Sequence, residues 1–348
     1  MDHVNEFGVL MEHCSPEQAY RVATAIKSAI DDFRFTWEEQ SFRISVSIGV
    51  VALNESTTSL SVLLKNADAA CYVAKDLGRS RIHLYHPDDA ELSQRHGEMQ
   101  WVSRINQALE DDRYCLYAQP IVALDNKPSK HLELLLRMID EKGKIIPPGS
   151  FLPAAERYNL MELLDRWVIK RAFSLLIANP GFLAQADFVS INLSGQSLNS
   201  AAFLDFVTSE LKSSKIQARK ICFEVTETAA ISNLSAASTV ISKLIELGCQ
   251  FALDDFGSGL SSFGYLKNLP VKYLKIDGMF VKDNNTIDLA MVKSINDIGQ
   301  VMGMETIAEF VENDEIKQIL KQIGVNYAQG YGTGKPRPFG GLLNCTLD

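Results

Sequence analysis

From about residue 112 onward, short apolar runs alternate with longer stretches of helical periodicity. The predicted strands are CLYAQPIVAL, LELLLRMI, FVSINLS, ICFEVTE, CQFALDD, VKYLKID, METIAEF and NYAQGYG. The predicted helices lie over 160–178, 200–213, 233–247, 286–302 and 313–323. Eight strands with intervening helices over about 240 residues are typical of a (β/α)₈ barrel. An open doubly wound sheet is the rival fold, but no glycine-rich phosphate loop follows a first strand.

The first two predicted strands are joined by the short turn Asp125-Asn126-Lys127-Pro128. This connection is too short for a helix, so we expect the two strands to pair as an antiparallel hairpin. The predicted fold class is therefore α/β, with a modified TIM (β/α)₈ barrel in which one strand runs antiparallel.

In residues 1–86 the order and spacing of apolar runs and helical stretches differ, and they predict a partial α+β domain with antiparallel strands. The predicted strands are EFGVLM, FRISVSIGVVAL and RIHLY, and the predicted helices are 16–33 and 59–76. Residues 87–110 are polar and have helical periodicity, which predicts a connecting helix. This helix overlaps the start of the second domain, 98–348.

Composition limits the classes of partner. The 43 acidic and 34 basic residues give a net charge of −9, which argues against a binding surface for DNA or RNA polymers. No apolar run approaches the roughly 20 residues needed to cross a bilayer, so we expect no membrane segment in this chain. Six scattered cysteines without a CxxC pair favour free thiols and a cytoplasmic location, including as the cytoplasmic part of a larger membrane-anchored sensor.

Polar side chains at or just past the ends of the apolar strands are the strongest chemical signal. The carboxylates are Glu133, Glu224, Glu227, Asp254, Asp255 and Glu309, most of which lie at or just past a strand end, whereas Glu133 lies within its apolar strand. Asn192, Lys275 and Gln329 occupy the same kind of position on other strands. Carboxylates rarely end buried strands unless positive charge meets them there. In a parallel barrel the strand ends converge at one mouth, which predicts a metal site.

An oxygen-rich ligand set without cysteine or histidine suits Mg²⁺ or Mn²⁺, and we expect two ions. An acidic pocket binds a phosphate ester only if metals reverse its charge, which favours two-metal phosphodiester hydrolysis.

Each residue alone has a simpler interpretation. A single strand-end carboxylate is more often a helix N-cap or a surface residue, and a lone buried lysine such as Lys275 is more often salt-bridged. His131 is expected to be a packed barrel histidine. By strand alternation, Glu227 should face away from Glu224, and the adjacent Asp254 and Asp255 should diverge. The joint pattern over many strands is what favours a site.

Residues from about 98 to 340 resemble the EAL domain, a cyclic di-GMP phosphodiesterase family. The signature reads Glu133-Leu134-Leu135 with Arg137 following. Further matches are AQPI (118–121), FLPAAE (151–156), DRWVI (165–169), INLS (191–194), EVTE (224–227), DDFGSGLSSF (254–263), LKID (274–277), AEFVE (308–312) and QGYGTGKP (329–336). The resemblance implies a modified TIM barrel that hydrolyses cyclic di-GMP to linear pGpG.

The resemblance also implies residue roles. The metal ligands would be Glu133, Asn192, Glu224, Asp254, Asp255 and Glu309, and the catalytic residues Glu133, Lys275, Glu309 and Asp255. Lys275 would hold and polarise the attacking water. The substrate-binding residues would be Gln119, Arg137, Glu312 and Gln329. Glu227 would anchor the loop 256–263, and the EAL domain would form a homodimer.

Three positions depart from the family pattern. Leu134 replaces alanine in the signature, whereas Phe310 and His131 stand where glycine is usual and are expected to add bulk near the mouth. No departure removes a ligand, which favours an enzyme. The alternatives are a cyclic di-GMP receptor that does not hydrolyse it and a pure interaction module.

Residues 1–86 resemble the second half of a GGDEF (diguanylate cyclase) domain through SIGVV (47–51) and NADAACYVAKDLGRS (66–80). The signature position reads His3-Val4-Asn5-Glu6-Phe7, without the two glycines and the aspartate. We therefore expect no cyclase activity from this part.

Overall fold

The computed structural model describes residues 7–37, 40–53, 60–76, 78, 80–85, 101–125, 130–257, 263–282 and 285–343. Contacts divide the chain into two compact units, Met1–Trp101 and Val102–Asp348. Within the described residues, no helix combines the length and the apolar character that crossing a bilayer would require.

The first unit is a small α+β unit. Its helices are α1 (Pro16–Asp32) and α2 (Leu60–Asp76), and its strands are β1 (Arg34–Trp37), β2 (Gln40–Arg43), β3 (Ile48–Val50) and β4 (Ile82–Leu84). α1 begins at a capping box in which the Ser15 hydroxyl accepts the Gln18 N–H and the Gln18 side chain accepts the Ser15 N–H. β1 and β2 pair antiparallel.

Three expectations for this unit are wrong. β3 and β4 pair parallel, because α2 lies between them in the chain and carries it back to the same end of the sheet. The single strand expected over 42–53 is split between β2 and β3. The described part of the predicted first strand, residues 7–11, is not in a strand, and Phe7, Val9 and Leu10 are exposed. Residues 3–6 of the degenerate signature lie outside the described residues.

The second unit is built around a closed barrel of eight strands. These are β5 (Tyr114–Ala123), β6 (His131–Ile139), β8 (Phe188–Asn192), β9 (Ile221–Thr226), β10 (Gln250–Phe256), β11 (Tyr273–Ile276), β12 (Glu305–Ala308) and β13 (Tyr327–Gln329). Their order around the barrel follows the sequence, and β13 pairs with β5 to close it. β5 runs antiparallel to both neighbours, whereas the other six pairings are parallel. The predicted barrel with one antiparallel strand is confirmed.

Two short strands and a set of helices complete this unit. β7 (Ile145–Ile146) pairs with β6, and β14 (Arg337–Pro338) pairs with β5. The helices are α3 (101–110), α4 (Leu152–Arg157), α5 (Met161–Ala178), α6 (Pro180–Gln185), α7 (Gly195–Leu198), α8 (Ala201–Ser214), α9 (Glu227–Ser232), α10 (Leu234–Glu246), α11 (Thr286–Val301), α12 (Asp314–Ile323) and α13 (Phe339–Leu343). The side chains of Ser200, Asn285 and Asn313 cap α8, α11 and α12, which fixes where these helices begin.

Apolar rings fill the amino-terminal end of the barrel. Phe188 and Tyr273, each the first residue of its strand, have ring centroids 4.8 Å apart. The His131 ring lies 3.9 Å from Phe188 and 4.9 Å from Tyr327, and it is buried. The expected packing of His131 is therefore found, but its expected place near the mouth is wrong, because it begins β6 at the opposite end.

Candidate metal and phosphate-ester site

Glu133, Glu224, Asp254 and Glu309 meet around Lys275, although Glu133 and Glu224 lie within β6 and β9 and not at the strand ends. On β6, Glu133 lies two residues after His131, so strand alternation turns both side chains toward the barrel axis. Asn192 ends β8, and its register partner on β9 is Glu224. Asp254 lies one step further around the barrel, where it pairs with Thr226.

Lys275 is the centre of the cluster and is almost fully buried, at 1% exposure. Its Nζ lies 2.7 Å from Glu224 Oε2 and 3.0 Å from Asp254 Oδ1. It also lies 3.0 Å from Glu309 Oε1 and 3.6 Å from Glu133 Oε2. One ammonium does not neutralise four carboxylates, so the cluster retains capacity for further positive charge.

The pKa values of the cluster express the same imbalance. Burial, reinforced by neighbouring carboxylates and opposed by Lys275, raises the pKa of Glu224 and that of Glu309 to about 8. Burial likewise raises the pKa of Asp254. Burial and the negative charge of Asp254 together raise the pKa of Asp255 to about 6. Burial alone would lower the pKa of Lys275, but the surrounding carboxylates raise it well above its usual range. Such a site takes up protons unless cations replace them.

Glu133 is held by two amides. Asn192 Nδ2 donates to Glu133 Oε1 at 2.7 Å, and Gln329 Nε2 donates to Glu133 Oε2 at 2.5 Å. Gln329 Nε2 also lies 3.4 Å from Gln119 Oε1, and Gln119 Nε2 donates to the carbonyl of Gly334. The structure thus brings Gln119 and Gln329 to the carboxylate cluster.

Asp254 and Asp255 do not diverge as strand alternation predicts. The pairing of β10 with β11 shifts register between Leu253 and Phe256, and Asp255 has a left-handed φ of 54°. This bulge turns both carboxylates to one side, where oxygen atoms of Asp254, Asp255 and Glu309 lie within 4.8 Å of one another. A bulge depends on the neighbouring strand, which the alternation rule leaves out.

The donor set fits a divalent cation. Glu224 is fully buried, and its Oε1 has no hydrogen-bond partner among the residues that the structure describes. A buried carboxylate oxygen without a donor is costly unless a cation meets it. The surrounding ligands are carboxylate and amide oxygens, which Mg²⁺ and Mn²⁺ prefer.

Glu227 makes the contacts expected of a loop anchor. It is buried at the start of α9, where its Oε2 accepts the Gly257 N–H at 3.0 Å. Its Oε1 accepts the Tyr265 hydroxyl at 2.7 Å. Glu227 therefore joins the two described edges of the loop whose residues 258–262 lie outside the described part. Nothing in the sequence pattern pointed to Tyr265.

The other substrate-binding candidates lie at the rim. Arg137 is half-buried, and its guanidinium stacks 5.2 Å from the centroid of Tyr117, a contact that the sequence pattern does not reveal. Glu312 is exposed and lies two residues after Phe310. Phe310 has a left-handed φ of 52°, and its ring covers Gly278 so closely that a Cβ there would lie 2.0 Å from Phe310 Cδ2.

A cavity of about 950 Å³ opens at the other end of the barrel. It is lined by His131, Phe188, Tyr273, Tyr327 and surrounding polar residues, and it contains none of the carboxylates of the cluster. The carboxylates that the sequence singles out as candidate ligands converge around Lys275 and not in this cavity.

Comparison with known proteins agrees with this geometry. Residues 102–336 match the EAL domain family, and residues 3–81 match the diguanylate cyclase, GGDEF domain. The chain belongs to the EAL domain family. The match covers the whole barrel and all the residues of the carboxylate cluster.

The similar curated proteins are longer than this chain. Cyclic di-GMP phosphodiesterase PdeB of Shewanella oneidensis is 44% identical over 301 residues, which are 86% of this chain and 35% of that protein. Cyclic di-GMP phosphodiesterase PdeF of Escherichia coli is 34% identical over 328 residues, 92% of this chain and 43% of that protein. The chain thus spans less than half the length of these two relatives.

Solved EAL structures share the barrel. The PaMucR phosphodiesterase in its c-di-GMP complex has a TM-score of 0.66 at 32% identity, covering 70% of this chain and 99% of that one. The FimX EAL domain of Pseudomonas aeruginosa, bound to c-di-GMP, has a TM-score of 0.64 at 32% identity, covering 68% of this chain and 96% of that one.

Proposed function

We propose that this EAL domain is a metal-dependent phosphodiesterase that hydrolyses cyclic di-GMP to linear pGpG. The observation that carries the proposal is the buried Lys275 surrounded by four carboxylates, one of which, Glu224, has an oxygen without a hydrogen-bond partner among the described residues. The phosphodiesterase names of the similar proteins PdeB and PdeF support it.

Mg²⁺ or Mn²⁺ at this site would polarise the phosphate and lower the pKa of a bound water. Two ions would be held by Glu133, Asn192, Glu224, Asp254, Asp255 and Glu309. The amides of Asn192 and Gln329 orient the Glu133 carboxylate. Lys275, whose ammonium is buried among the carboxylates, would hold and polarise the attacking water.

The remaining groups would bind the ester and shape the site. Arg137, pre-oriented on Tyr117, would contact a phosphate oxygen, since a guanidinium forms charge-assisted bonds to phosphate. Gln119 and Gln329 would bind polar atoms of the nucleotide beside Glu133, and Glu312 would contact a guanine edge from the rim. Glu227 would fix the Asp254-Asp255 bulge through Gly257.

A direct assay tests the proposal. The protein, stripped of metal by a chelator, is incubated with cyclic di-GMP and Mg²⁺, Mn²⁺ or Ca²⁺, and pGpG is separated by chromatography. We expect pGpG with Mg²⁺ or Mn²⁺ and inhibition by Ca²⁺, which is larger and less demanding in geometry. Full turnover in the chelator contradicts the metal assignment. Tight cyclic di-GMP binding without pGpG favours the alternative, a receptor that does not hydrolyse it.

The EAL domain is proposed to act independently of the first unit. Every candidate ligand lies after residue 98, and the barrel has its own apolar core. A fragment of residues 98–348 should therefore retain hydrolysis at a rate similar to that of the full chain, measured as pGpG release. The full chain should form no cyclic di-GMP from GTP, because its GGDEF signature is degenerate. Loss of hydrolysis in the folded fragment argues against this division.

A cytoplasmic location and a homodimer through the EAL domain are further proposals. Five cysteines are free thiols in the described part of the chain, which suits a reducing compartment. Light scattering of the full chain and of the 98–348 fragment measures whether the EAL domain alone forms the dimer.

A further inference from the structure

The buried carboxylate of Asp165 has no part in the site described so far. Asp165 lies on α5 and is 5% exposed. Its Oδ2 accepts three hydrogen bonds, from the Ser194 N–H at 3.0 Å, the Ser194 hydroxyl at 2.7 Å and the Ser197 hydroxyl at 2.6 Å. All three donors belong to Ser194–Ser197, the helical turn formed by the N-cap and first residues of α7, which directly follows β8.

That turn holds the end of the strand that carries Asn192. Leu193, next in the chain, is buried and donates its N–H to the carbonyl of Glu224 on β9. Ser194 follows, and its hydroxyl also caps α7 by accepting the Ser197 N–H. Asn192 itself is exposed, so its position depends on the backbone that leaves the strand.

The connection between Asp165 and the carboxylate cluster is short. Asp165 fixes Ser194, two residues beyond Asn192, and Asn192 Nδ2 donates to Glu133 Oε1 at 2.7 Å. A shift of the turn would therefore move one proposed metal ligand and remove one of the two amide contacts that hold the carboxylate of a second. Groups that orient metal ligands commonly change metal affinity when they are removed.

Burying the Asp165 carboxylate lowers the stability of the fold, which a purely structural role does not explain. In the described part of the chain, no basic side chain forms an ion pair with it, and burial raises its pKa to about 6 against the opposing effect of the serine hydrogen bonds. A buried carboxylate without a basic partner is costly to desolvate, and the three hydrogen bonds from Ser194 and Ser197 offset only part of that cost.

We propose that Asp165 is a positioning residue for the metal site, holding Asn192 through the turn Ser194–Ser197. This inference rests on the proposed metal-dependent function. It predicts that removing the carboxylate weakens the binding of a divalent cation more than the accompanying loss of stability explains.

The test is titration of the metal-free full chain with MnCl₂, followed by electron paramagnetic resonance of the unbound ion. We expect Asp165→Ala to raise the Kd for Mn²⁺ about tenfold or more. Asp165→Asn should shift it less, because the amide oxygen can still accept the serine hydrogen bonds. Ser197→Ala, which removes one bond, should lie between wild type and Asp165→Ala. In each variant, hydrolysis should require correspondingly more Mn²⁺.

Asn296→Ala is the matched control. Asn296 is a fully buried polar residue of α11 that accepts the Thr306 hydroxyl at 2.6 Å and donates to the Ile323 carbonyl, and neither partner is a proposed ligand. It should lower the melting temperature and leave the Kd for Mn²⁺ unchanged.

The outcomes separate the two proposals. A folded Asp165→Ala protein with the wild-type Kd overturns the positioning role, as does an equal shift in Asn296→Ala. If Asp165→Ala does not fold, Ser197→Ala decides in the same way. Mn²⁺ binding that depends on Asp165 without any pGpG from the wild type leaves the positioning role standing and overturns the hydrolysis proposal. If the wild type releases pGpG but the variants bind Mn²⁺ as tightly as the wild type, the hydrolysis proposal stands and the positioning role is overturned.

Discussion

The two ends of the barrel use the same strands for opposite purposes. At the amino-terminal end, the rings of His131, Phe188, Tyr273 and Tyr327 pack into a floor. At the carboxyl-terminal end, the strands carry four carboxylates around Lys275. Packed rings fill the amino-terminal end, whereas the opposite end holds the buried charges of Lys275 and its carboxylate partners. The difference teaches that one inward-facing row of side chains can supply stability at one end and chemistry at the other.

The strongest test of this difference between the two ends is to remove one carboxylate at the mouth and one at the floor and to compare turnover. Glu133→Ala should cut pGpG release by several orders of magnitude, because it removes a proposed metal ligand and the partner of Asn192 and Gln329. Glu305 begins β12 at the floor end, so Glu305→Ala should leave kcat close to wild type. Normal turnover in Glu133→Ala would place the active site elsewhere.

The loop anchor should give the next largest effect. Glu227→Ala removes the acceptor of both Gly257 N–H and Tyr265 hydroxyl, so it should lower activity and metal affinity by about 10–100-fold while the fold stays intact. High Mn²⁺ should restore part of the rate, since the proposed ligands themselves remain. Tyr265→Phe, which removes one of the two bonds, should have a smaller effect. Wild-type kinetics at every Mn²⁺ concentration in Glu227→Ala would reduce Glu227 to a structural residue.

A smaller effect on turnover is expected at the rim. Arg137→Ala should raise KM for cyclic di-GMP by roughly tenfold or more with a modest change in kcat, because a charge-assisted contact to phosphate is lost. Arg219, which lines the cavity at the floor, is the matched control, and Arg219→Ala should leave KM unchanged. A kcat loss without a KM change would instead place Arg137 in the chemical step.

At the floor, the expected effect is on stability and not on turnover. Burial lowers the pKa of His131 to about 4, so the folded protein binds fewer protons than the unfolded chain between this value and the usual pKa. Stability should therefore fall as the pH drops below about 6.5, by about 2 kcal/mol at pH 5 from this residue alone.

His131→Phe removes this titration and keeps a ring in the floor. Its free energy of unfolding, measured by urea denaturation at pH 7 and pH 5, should fall less than that of the wild type, and its kcat at pH 7 should match the wild type. An identical pH dependence in the two proteins would show that His131 does not titrate on unfolding.

Much of this molecule follows from local pattern. The strand and helix alternation predicted the barrel, and the short turn after Asp125 predicted its antiparallel strand, because a hairpin leaves no room for a crossover helix. The acids on several strands predicted a cluster at one edge, since parallel strands share one carboxyl-terminal edge, and Glu133, Glu224, Asp254 and Glu309 do lie together around Lys275. The sequence pattern predicted antiparallel strands in the first unit, but β3 and β4 pair parallel. The pattern of apolar residues within a strand carries no information on which strand it pairs with or in which direction.

The sequence by itself determined the barrel and the set of residues at its mouth, since both depend on the period of the strands and on residue type. Only the tertiary structure decided how those residues face one another. The bulge that brings Asp255 beside Asp254 arises in the pairing of β10 with β11. The hydrogen bonds from Ser194 to Asp165 and from Tyr265 to Glu227 join residues 29 and 38 positions apart. Such contacts form only after packing has placed distant segments together, so no local period encodes them.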